Sequence, residues 1–418
     1  MSGDRMTGNT GTDNTATGNT ATGNTATGNT ATGNEVTQLP GEAPCTAEPQ
    51  PLLEIQPLPQ IQPLLEIRGL TKTFPLRQGL LARWRGQPRR AVQALTDVNL
   101  SVRRGETLGI VGESGCGKST LARTLVRLYT ADSGEISYAG LDVRSLEGAA
   151  LRGYNRRVQM IFQDPFSSLN PRMTVAQVLT EALRVHRMRP AGQIPARVTE
   201  LLSLVGLPPE AAGRLPHEFS GGQRQRIGIA RALALEPECL IADELVSALD
   251  VSVQAQVVNL LLELQERLNL TVLFVAHDLR LVRHLSHRVA VMYLGRVVEV
   301  AETQAMFESP RHPYTRGLLA AAPSLDPGQR QGAPAISGEL PSPLDVPSGC
   351  AFRTRCPQAF DRCAAERPLL QTTSDGHEVA CHLYDQGYPV HALPDAEMAD
   401  AGVADAGAAE QATQMARP

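Results

Sequence analysis

The sequence of 418 residues lacks several features that would mark other classes of protein. No apolar run approaches the roughly 18 to 20 residues that a membrane-spanning helix needs. The first residues do not have the basic and then apolar pattern of a secretion signal. The formal net charge of -4 gives no support for a dedicated nucleic-acid binder. We therefore expect a soluble or peripheral protein of the cytosol, with no nucleic-acid partner.

Cysteine and tryptophan are scarce and unevenly placed. The chain has seven cysteines, and four of them fall within one C-terminal segment. This usage fits a reducing compartment, where clustered thiols indicate metal rather than disulfides. The only tryptophan, Trp84, lies between Phe74 and Ala91 in an arginine-rich stretch without acidic residues. Two interpretations of this stretch stay open, a solvated hairpin or a contact with lipid headgroups or a membrane-protein loop.

Low-complexity segments occupy both ends of the chain. Residues up to about 34 are almost entirely Thr, Gly, Asn and Ala, and the Pro-rich stretch after them contains the near-duplicates Pro51–Ile55 and Pro63–Ile67. The last thirty or so residues are rich in Ala, Asp and Gly. Because such segments have little apolar surface to bury, we expect a disordered repeat and linker over 1–63 and a disordered tail over 386–418.

The most informative motif lies between an apolar strand over 107–111 and an amphipathic helix expected over 121–128. Its spacing of Gly, four residues and Gly-Lys-Ser is that of a phosphate loop. Glycines let backbone N–H groups point at one phosphate chain, and the helix N-terminus adds partial positive charge. Lys118 can reach the β- and γ-phosphates, and Ser119 can bind magnesium. The predicted nucleotide-binding residues of this loop are Gly112, Glu113, Ser114, Gly115, Cys116, Gly117, Lys118, Ser119 and Thr120.

A second anion site is predicted at Phe219–Arg226. Ser220 is a favourable N-cap, and two glycines after it leave backbone N–H groups bare before a helical run expected over 227–234. A capped helix with a glycine turn is the alternative for these residues alone, but the phosphate loop in the same chain favours an anion site. The residues of this predicted site are Ser220, Gly221, Gly222 and Gln223.

Two further apolar strands end in polar residues. One ends in Asp243 and Glu244, and buried strands seldom end in paired carboxylates unless these face a cation or water. The other, over 273–278, carries His277 at its end, where a lone histidine is usually a hydrogen-bonded surface group. Apolar strands alternate with amphipathic helices from Ala91 onward, which predicts an α/β core.

These motifs resemble, in order and spacing, those of ATP-binding cassette (ABC) proteins. The resemblance covers roughly 64–382 and implies a P-loop NTPase fold of the ABC type, with a RecA-like core and a helical subdomain at about 173–215. It implies ATP and Mg²⁺ as cofactors. It also implies that Asp243 holds magnesium, Glu244 polarises the attacking water and His277 contacts the γ-phosphate.

The resemblance implies three further points about the site. Gln163 resembles the Q-loop glutamine, which senses magnesium and faces the transmembrane partner. Phe74 lies where the family has its adenine-stacking aromatic residue, although an aromatic after a strand is more often part of the core. Leu245 replaces the proline that usually follows the catalytic acid, and losing its fixed φ could loosen that turn with a modest effect.

The C-terminal segment resembles the extension of oligopeptide and dipeptide importer ATPases. The likeness rests on His312–Arg316 and Gly349–Pro357, and it implies that four cysteines hold a four-iron four-sulfur cluster. Zinc and four reduced thiols in a small core are the alternatives, although the close pairs of a zinc ribbon are missing. Because the segment is far in sequence from Lys118, we expect a structural or docking role rather than one in hydrolysis. The four are Cys350, Cys356, Cys363 and Cys381.

The chain is accordingly identified as a member of the importer family, resembling its F-type ATPase subunit through 163–171 and 246–252. The family implies a heterodimer with a second ABC ATPase subunit, two transmembrane permease subunits and an extracytoplasmic substrate-binding protein. It implies a peripheral position at the cytoplasmic face of the inner membrane and uptake of peptides. We expect the ABC domain over 64–320 and the Cys-rich extension over 321–385.

Three alternatives for the function stay open. The chain could serve a nickel or other small-solute importer of the same family. A soluble ABC ATPase of DNA repair or translation would usually carry two cassettes or long insertions. A metal-cluster or regulatory protein with a vestigial ATPase is disfavoured because Lys118, Asp243, Glu244 and His277 are all present.

Overall fold

The computed structural model describes residues 63–76, 90–164, 169–247, 249–321, 336 and 338–385. The N-terminal repeats, the first copy of the duplication, Trp84 with most of its arginine-rich stretch, and the C-terminal tail lie outside these ranges. The expectations for those segments therefore stay predictions. All the described residues belong to one unit, Pro59–Pro418.

The described residues form two β-sheets. Their strands are β1 (Pro63–Pro75), β2 (Ala91–Arg103), β3 (Thr107–Val111), β4 (Ser133–Tyr138), β5 (Leu141–Asp142), β6 (Val158–Ile161), β7 (Cys239–Asp243), β8 (Thr271–Val275), β9 (Arg288–Tyr293), β10 (Arg296–Glu302), β11 (Gln371–Thr372) and β12 (Glu378–Val379). The smaller sheet is antiparallel, in the order β2-β1-β4-β5. The larger sheet has the order β11-β12-β10-β9-β3-β8-β7-β6, and its strands from β9 to β6 are parallel.

The described residues also form ten α-helices, and several of them pack against the parallel part of the larger sheet. They are α1 (Lys118–Leu125), α2 (Gly148–Arg157), α3 (Val175–Val185), α4 (Ile194–Leu204), α5 (Gly221–Leu233), α6 (Val251–Leu268), α7 (Leu279–Leu285), α8 (Thr303–Glu308), α9 (Pro313–Ala320) and α10 (Asp361–Ala365). Every residue of β3, β7 and β8 is buried, as expected for parallel strands covered on both faces. The predicted α/β fold is confirmed.

The stretch predicted as a helical subdomain, about 173–215, contains α3 and α4. Thr174 begins α3 with a capping box, in which its hydroxyl accepts from the Gln177 N–H and the Gln177 side chain accepts from the Thr174 N–H. Leu179 and Leu201 are fully buried in the large core that both helices share with the sheet. Within the described ranges, no helix is long and apolar enough to cross a membrane.

The C-terminal extension is joined to the core sheet by a buried carboxylate. β12 pairs with β10 at Val379 and Glu299, and Glu299 is fully buried. Its carboxylate accepts from the backbone N–H groups of Arg311, at 2.7 Å, and His312, at 2.9 Å. His377 of the extension lies 3.2 Å from the same carboxylate. Burial raises the pKa of Glu299, but these hydrogen bonds outweigh it and hold the pKa below the ordinary value.

Candidate nucleotide-hydrolysing site

The predicted phosphate loop connects β3 to α1. The helix begins at Lys118 rather than at the expected 121, with Gly117 as its N-cap at φ 107°. A Cβ on Gly117 would lie 2.3 Å from the Ala94 carbonyl oxygen, so only glycine fits there. The Lys118 side chain is buried, and its Nζ donates to the carbonyls of Gly112 at 2.7 Å and Glu113 at 3.1 Å. The ammonium therefore lies against the loop whose phosphate-binding role the sequence predicts.

Ser119 and Asp243 meet at the end of β7. The Ser119 hydroxyl donates to Oδ1 of Asp243 at 2.8 Å. Asp243 is fully buried, which raises its pKa, while the hydrogen bond from Ser119 and the charge of Arg123 act in the opposite direction. Oδ2 of Asp243 has no hydrogen-bond donor among the described residues, and the Arg123 guanidinium lies 4.0 Å from it. An orphaned buried carboxylate oxygen beside a hydroxyl fits a magnesium site.

Glu244 lies beside Asp243 in a left-handed backbone conformation, φ 47°, which is uncommon for a residue with a side chain. Its N–H donates to the Val275 carbonyl at 3.0 Å, and its carbonyl accepts from the N–H of Ser247 at 3.2 Å. Nε2 of Gln163 donates to Oε2 of Glu244 at 2.5 Å. The predicted Q-loop glutamine and the predicted catalytic acid are therefore in direct contact.

Leu245, which replaces the family's proline, is buried in the core. A residue before proline is driven towards extended conformations, whereas Glu244 has φ 47°. Leucine thus permits the left-handed turn, and the hydrogen bonds to Val275 and from Ser247 close it. The turn that this replacement was expected to loosen is held by backbone contacts.

His277 and Phe74 are placed less centrally. His277 is exposed after β8, where it lines a narrow cleft together with Glu244. Phe74 lies in β1, half-buried, with its ring edge against Tyr129 at a centroid distance of 5.2 Å. Lys72 lies 5.3 Å from the centre of the Phe74 ring. The predicted contacts of His277 with a phosphate and of Phe74 with adenine stay predictions.

The predicted second anion site forms the first turn of α5, which begins at Gly221 and not at 227. The Ser220 hydroxyl accepts from the Gln223 N–H at 3.3 Å, and the Gln223 side chain accepts from the Ser220 N–H at 3.0 Å. This capping box outweighs the low helix propensity of two glycines. A Cβ on Gly222 would lie 2.2 Å from Val253 of α6, so glycine allows the two helices to pack closely.

The four C-terminal cysteines lie in one subdomain, but their side chains are not arranged as ligands of one metal ion. Burial and the charges of Cys350, Cys356 and Cys363 raise the pKa of Cys381 to about 12. Burial and the charges of two neighbouring cysteines raise the pKa of Cys356 to about 11. The described part of the chain contains no group of three or more His, Cys, Asp or Glu side chains arranged to hold a metal ion. The predicted iron–sulfur or zinc site is therefore not supported.

Two residues outside the predicted site contact the phosphate loop. The Arg355 guanidinium donates to both carboxylate oxygens of Glu113, at 2.7 and 2.9 Å. The Tyr314 hydroxyl accepts from the Glu113 N–H at 2.9 Å. The extension is far in sequence from Lys118, yet through Arg355 it contacts the phosphate loop. The expected structural or docking role of the extension stays a prediction. Both residues lie in segments that carry the family likeness, but spacing could not pair them with Glu113.

The fold and the site define an ABC-type ATPase. The family described as "ABC transporter" matches residues 95–247, and the one described as "Oligopeptide/dipeptide transporter, C-terminal region" matches 298–363. The chain belongs to the ABC transporter ATP-binding proteins that carry this C-terminal region.

Similar proteins agree with this assignment. The chain is 51% identical over 327 residues to the "Probable peptide ABC transporter ATP-binding protein y4tS" of Sinorhizobium fredii, covering 78% of this chain and 92% of that protein. It is 50% identical over 323 residues to the "Oligopeptide transport ATP-binding protein AppF" of Bacillus subtilis, covering 76% and 96%. A solved structure of cbiO1 from Clostridium perfringens, part of the ABC transporter complex cbiONQ, has a TM-score of 0.50 at 26% identity, covering 59% of this chain and 91% of that one.

Proposed function

We propose that this chain is the ATP-hydrolysing subunit of an importer for oligopeptides or dipeptides. The observation that carries the proposal is the meeting of Ser119, Asp243, Glu244 and Gln163 at the end of β7. The cargo class rests on the peptide transport named for the two relatives. The matches to this chain cover 92% and 96% of the lengths of those relatives.

Each residue of the site has a proposed role. Lys118 and the N–H groups of its loop bind the β- and γ-phosphates. Ser119 and Asp243, with Gln163, hold Mg²⁺, which neutralises charge on the transferred phosphoryl group. Glu244 orients and polarises the attacking water, and its contact with Gln163 fixes the carboxylate until nucleotide binds. His277 contacts the γ-phosphate, and Phe74 stacks on adenine.

The chain works as half of a dimer. It has one phosphate loop and one Ser220–Gln223 turn, and each nucleotide is proposed to lie between the loop of one subunit and this turn of the other. Ser220 is exposed at the start of α5, as such a contact requires. Binding of two ATP molecules closes the dimer, and hydrolysis reopens it. The partner is a second ABC ATPase subunit, so the working dimer is a heterodimer.

The closing motion is passed to two permease subunits, which receive cargo from an extracytoplasmic substrate-binding protein. Gln163 is exposed and belongs to the segment proposed to face the permeases. The chain is proposed to lie at the cytoplasmic face of the membrane, held there by its partners. Its domains are proposed to be the ABC domain over 64–320 and the extension over 321–385.

We also propose that the extension holds a metal centre, with a four-iron four-sulfur cluster favoured over zinc. The support is the donor chemistry of the four cysteines, whose charges act on one another within one subdomain. Burial raises the pKa of the Cys350, Cys356 and Cys381 thiols, so they stay protonated unless a cation displaces the protons and stabilises the thiolates. The structure does not arrange the sulfurs as ligands.

Peptide uptake by a reconstituted transporter tests the proposed function. The chain, its partner ATPase, the permeases and the binding protein are placed in vesicles with ATP and labelled di- and oligopeptides. We expect ATP-dependent accumulation of peptide that is lost with Glu244→Gln. Accumulation of nickel instead of peptide would favour the small-solute importer, and full ATPase activity without any membrane partner binding would favour the soluble alternative.

A further inference from the structure

We propose that Arg355 is a positioning residue for ATP binding, which it favours by neutralising and holding Glu113 of the phosphate loop. The inference rests on the proposed nucleotide site and adds a residue of the C-terminal extension to it. Arg355 and Glu113 are 242 positions apart in the chain, yet they form a two-pronged ion pair at 2.7 and 2.9 Å. Such forked pairs fix orientation as well as charge.

Glu113 is an unfavourable residue for a loop that binds a polyphosphate. Its carboxylate carries the same sign as the ligand, and its own backbone is part of the loop. An unpaired carboxylate at this position would repel the phosphates over several ångströms, since only part of its side chain, 27%, is exposed to screening water. A cation bound to the carboxylate removes this repulsion, and the Arg355 guanidinium supplies it.

Arg355 is itself held rigidly. Its side chain is 6% exposed, its N–H donates to the Phe352 carbonyl at 2.9 Å, and its guanidinium lies 5.9 Å from the centre of the Tyr293 ring. The rings of Tyr293, Phe352 and Tyr314 contact one another, with centroids 4.7 to 5.4 Å apart. A buried guanidinium that packs against the Tyr293 ring loses little freedom when it binds a carboxylate, so the pair forms at low entropic cost.

Tyr314, one of these three aromatic residues, makes a second contact with Glu113. The fully buried Tyr314 accepts a hydrogen bond from the Glu113 N–H at 2.9 Å. Backbone and side chain of Glu113 are thus both held from outside the loop. The phosphate loop is therefore ordered before ATP binds. An ordered loop binds ATP more tightly, because less conformational freedom is lost on binding.

Amide hydrogen exchange of the phosphate loop, measured without nucleotide, tests the positioning independently of ATP binding. In Arg355→Met we expect exchange of residues 112–117 to accelerate about tenfold, because one anchor of the loop is lost. Arg355→Lys should recover only part of the protection, because lysine keeps the charge but cannot form the forked pair. Arg353→Met is the matched control, since Arg353 lies in the same extension and its guanidinium contacts Ser348 rather than Glu113. Equal exchange in the wild type and Arg355→Met would overturn the proposal whether or not the protein hydrolyses ATP.

Affinity for a fluorescent ATP analogue then separates charge from packing. Arg355→Met should raise the Kd, and the KM for ATP, about tenfold with kcat nearly unchanged. Adding Glu113→Gln to Arg355→Met should restore most of the affinity, because the carboxylate that needs neutralising is gone. A double variant as weak as Arg355→Met would show a merely structural role and contradict the proposal. A wild-type protein that binds no nucleotide, with the exchange result as expected, would count against the proposed function alone.

Discussion

The hydroxyl of Ser119 donates a hydrogen bond of 2.8 Å to Oδ1 of Asp243, across 124 positions of sequence. This bond joins the first residues of α1 to the end of β7. It leaves the second carboxylate oxygen of Asp243 buried without a hydrogen-bond donor within the described chain. We therefore expect the Asp243 carboxylate to bind a cation in exchange for its hydrogen bond with Ser119.

Replacing Asp243 by asparagine should remove the magnesium dependence of nucleotide binding. The amide keeps the size of the side chain but loses the charge that holds the cation. We expect Mg²⁺ to tighten ATP binding in the wild type and to have little effect in Asp243→Asn, as measured by titration with and without Mg²⁺. Asp142→Asn is the control, because Asp142 is an exposed aspartate of β5. Full magnesium dependence in Asp243→Asn would contradict the assignment.

Lys118→Ala should weaken ATP binding more than it affects folding. A charge-assisted contact to a phosphate contributes about 1.5 to 3 kcal/mol, so we expect the Kd to rise roughly tenfold to a hundredfold. The measurement is equilibrium binding, accompanied by a thermal unfolding curve. Arg103→Ala is a suitable control, since Arg103 is a surface cation paired with Glu302. An unchanged Kd would remove Lys118 from the phosphate site.

His312 should make the folded protein less stable as the pH falls. Burial lowers the pKa of His312 to about 4, against an ordinary 6.5, although the charge of Glu299 acts in the opposite direction. Between these values the unfolded chain binds a proton that the folded chain does not. Stability is therefore undiminished above about pH 6.5 and decreases as the pH falls towards 4, by about 3 kcal/mol in total.

Urea unfolding at pH 7.5 and pH 5 measures this effect. His312→Asn keeps an acceptor for the Tyr314 N–H and cannot be protonated, so it should be less stable overall but should lose less stability on acidification. His284→Gln, at an exposed histidine, should keep the wild-type difference between the two pH values. The same loss on acidification in His312→Asn as in the wild type would show that another group causes it.

The metal content of the extension can be measured directly. By the proposed assignment, protein purified without oxygen should be brown, with iron and sulfide near four each per chain. Cys363→Ser and Cys381→Ser should each lose the colour and lower the thermal stability, because metal affinity contributes to folding. Cys239→Ser lies outside the extension and should keep the colour. Colourless protein with one zinc would favour zinc, and metal-free protein would leave four reduced thiols.

The sequence predicted the strands and the helix that carry the nucleotide motifs, but not all the contacts between them. The spacing of Gly112 and Lys118, and two acids after an apolar strand, were enough to place the nucleotide motifs on the correct strands and helix. Ser220 was predicted as an N-cap and is one, but the helical run was expected only from 227, whereas the capping box of Ser220 and Gln223 begins α5 at Gly221. Local propensity and cap chemistry compete, and spacing alone does not say which is stronger.

The pairing of Arg355 with Glu113 could not have been predicted. It depends on β12 joining the edge of the core sheet and on the buried Glu299 that fixes this junction. Strands of two residues such as β11 and β12 carry too little periodicity to be recognised in a sequence. Contacts between distant segments are set by tertiary packing, which motif spacing does not contain.

The most direct test of the central claim is the rate of phosphate release by Glu244→Gln. Glutamine keeps the shape of the side chain that contacts Gln163 but cannot act as a base. We predict unchanged ATP binding, turnover lowered by roughly 10² or more, and a dimer that stays closed with ATP, seen by light scattering in the presence of the partner ATPase. Full phosphate release by Glu244→Gln would show that hydrolysis does not depend on this carboxylate and would contradict the account.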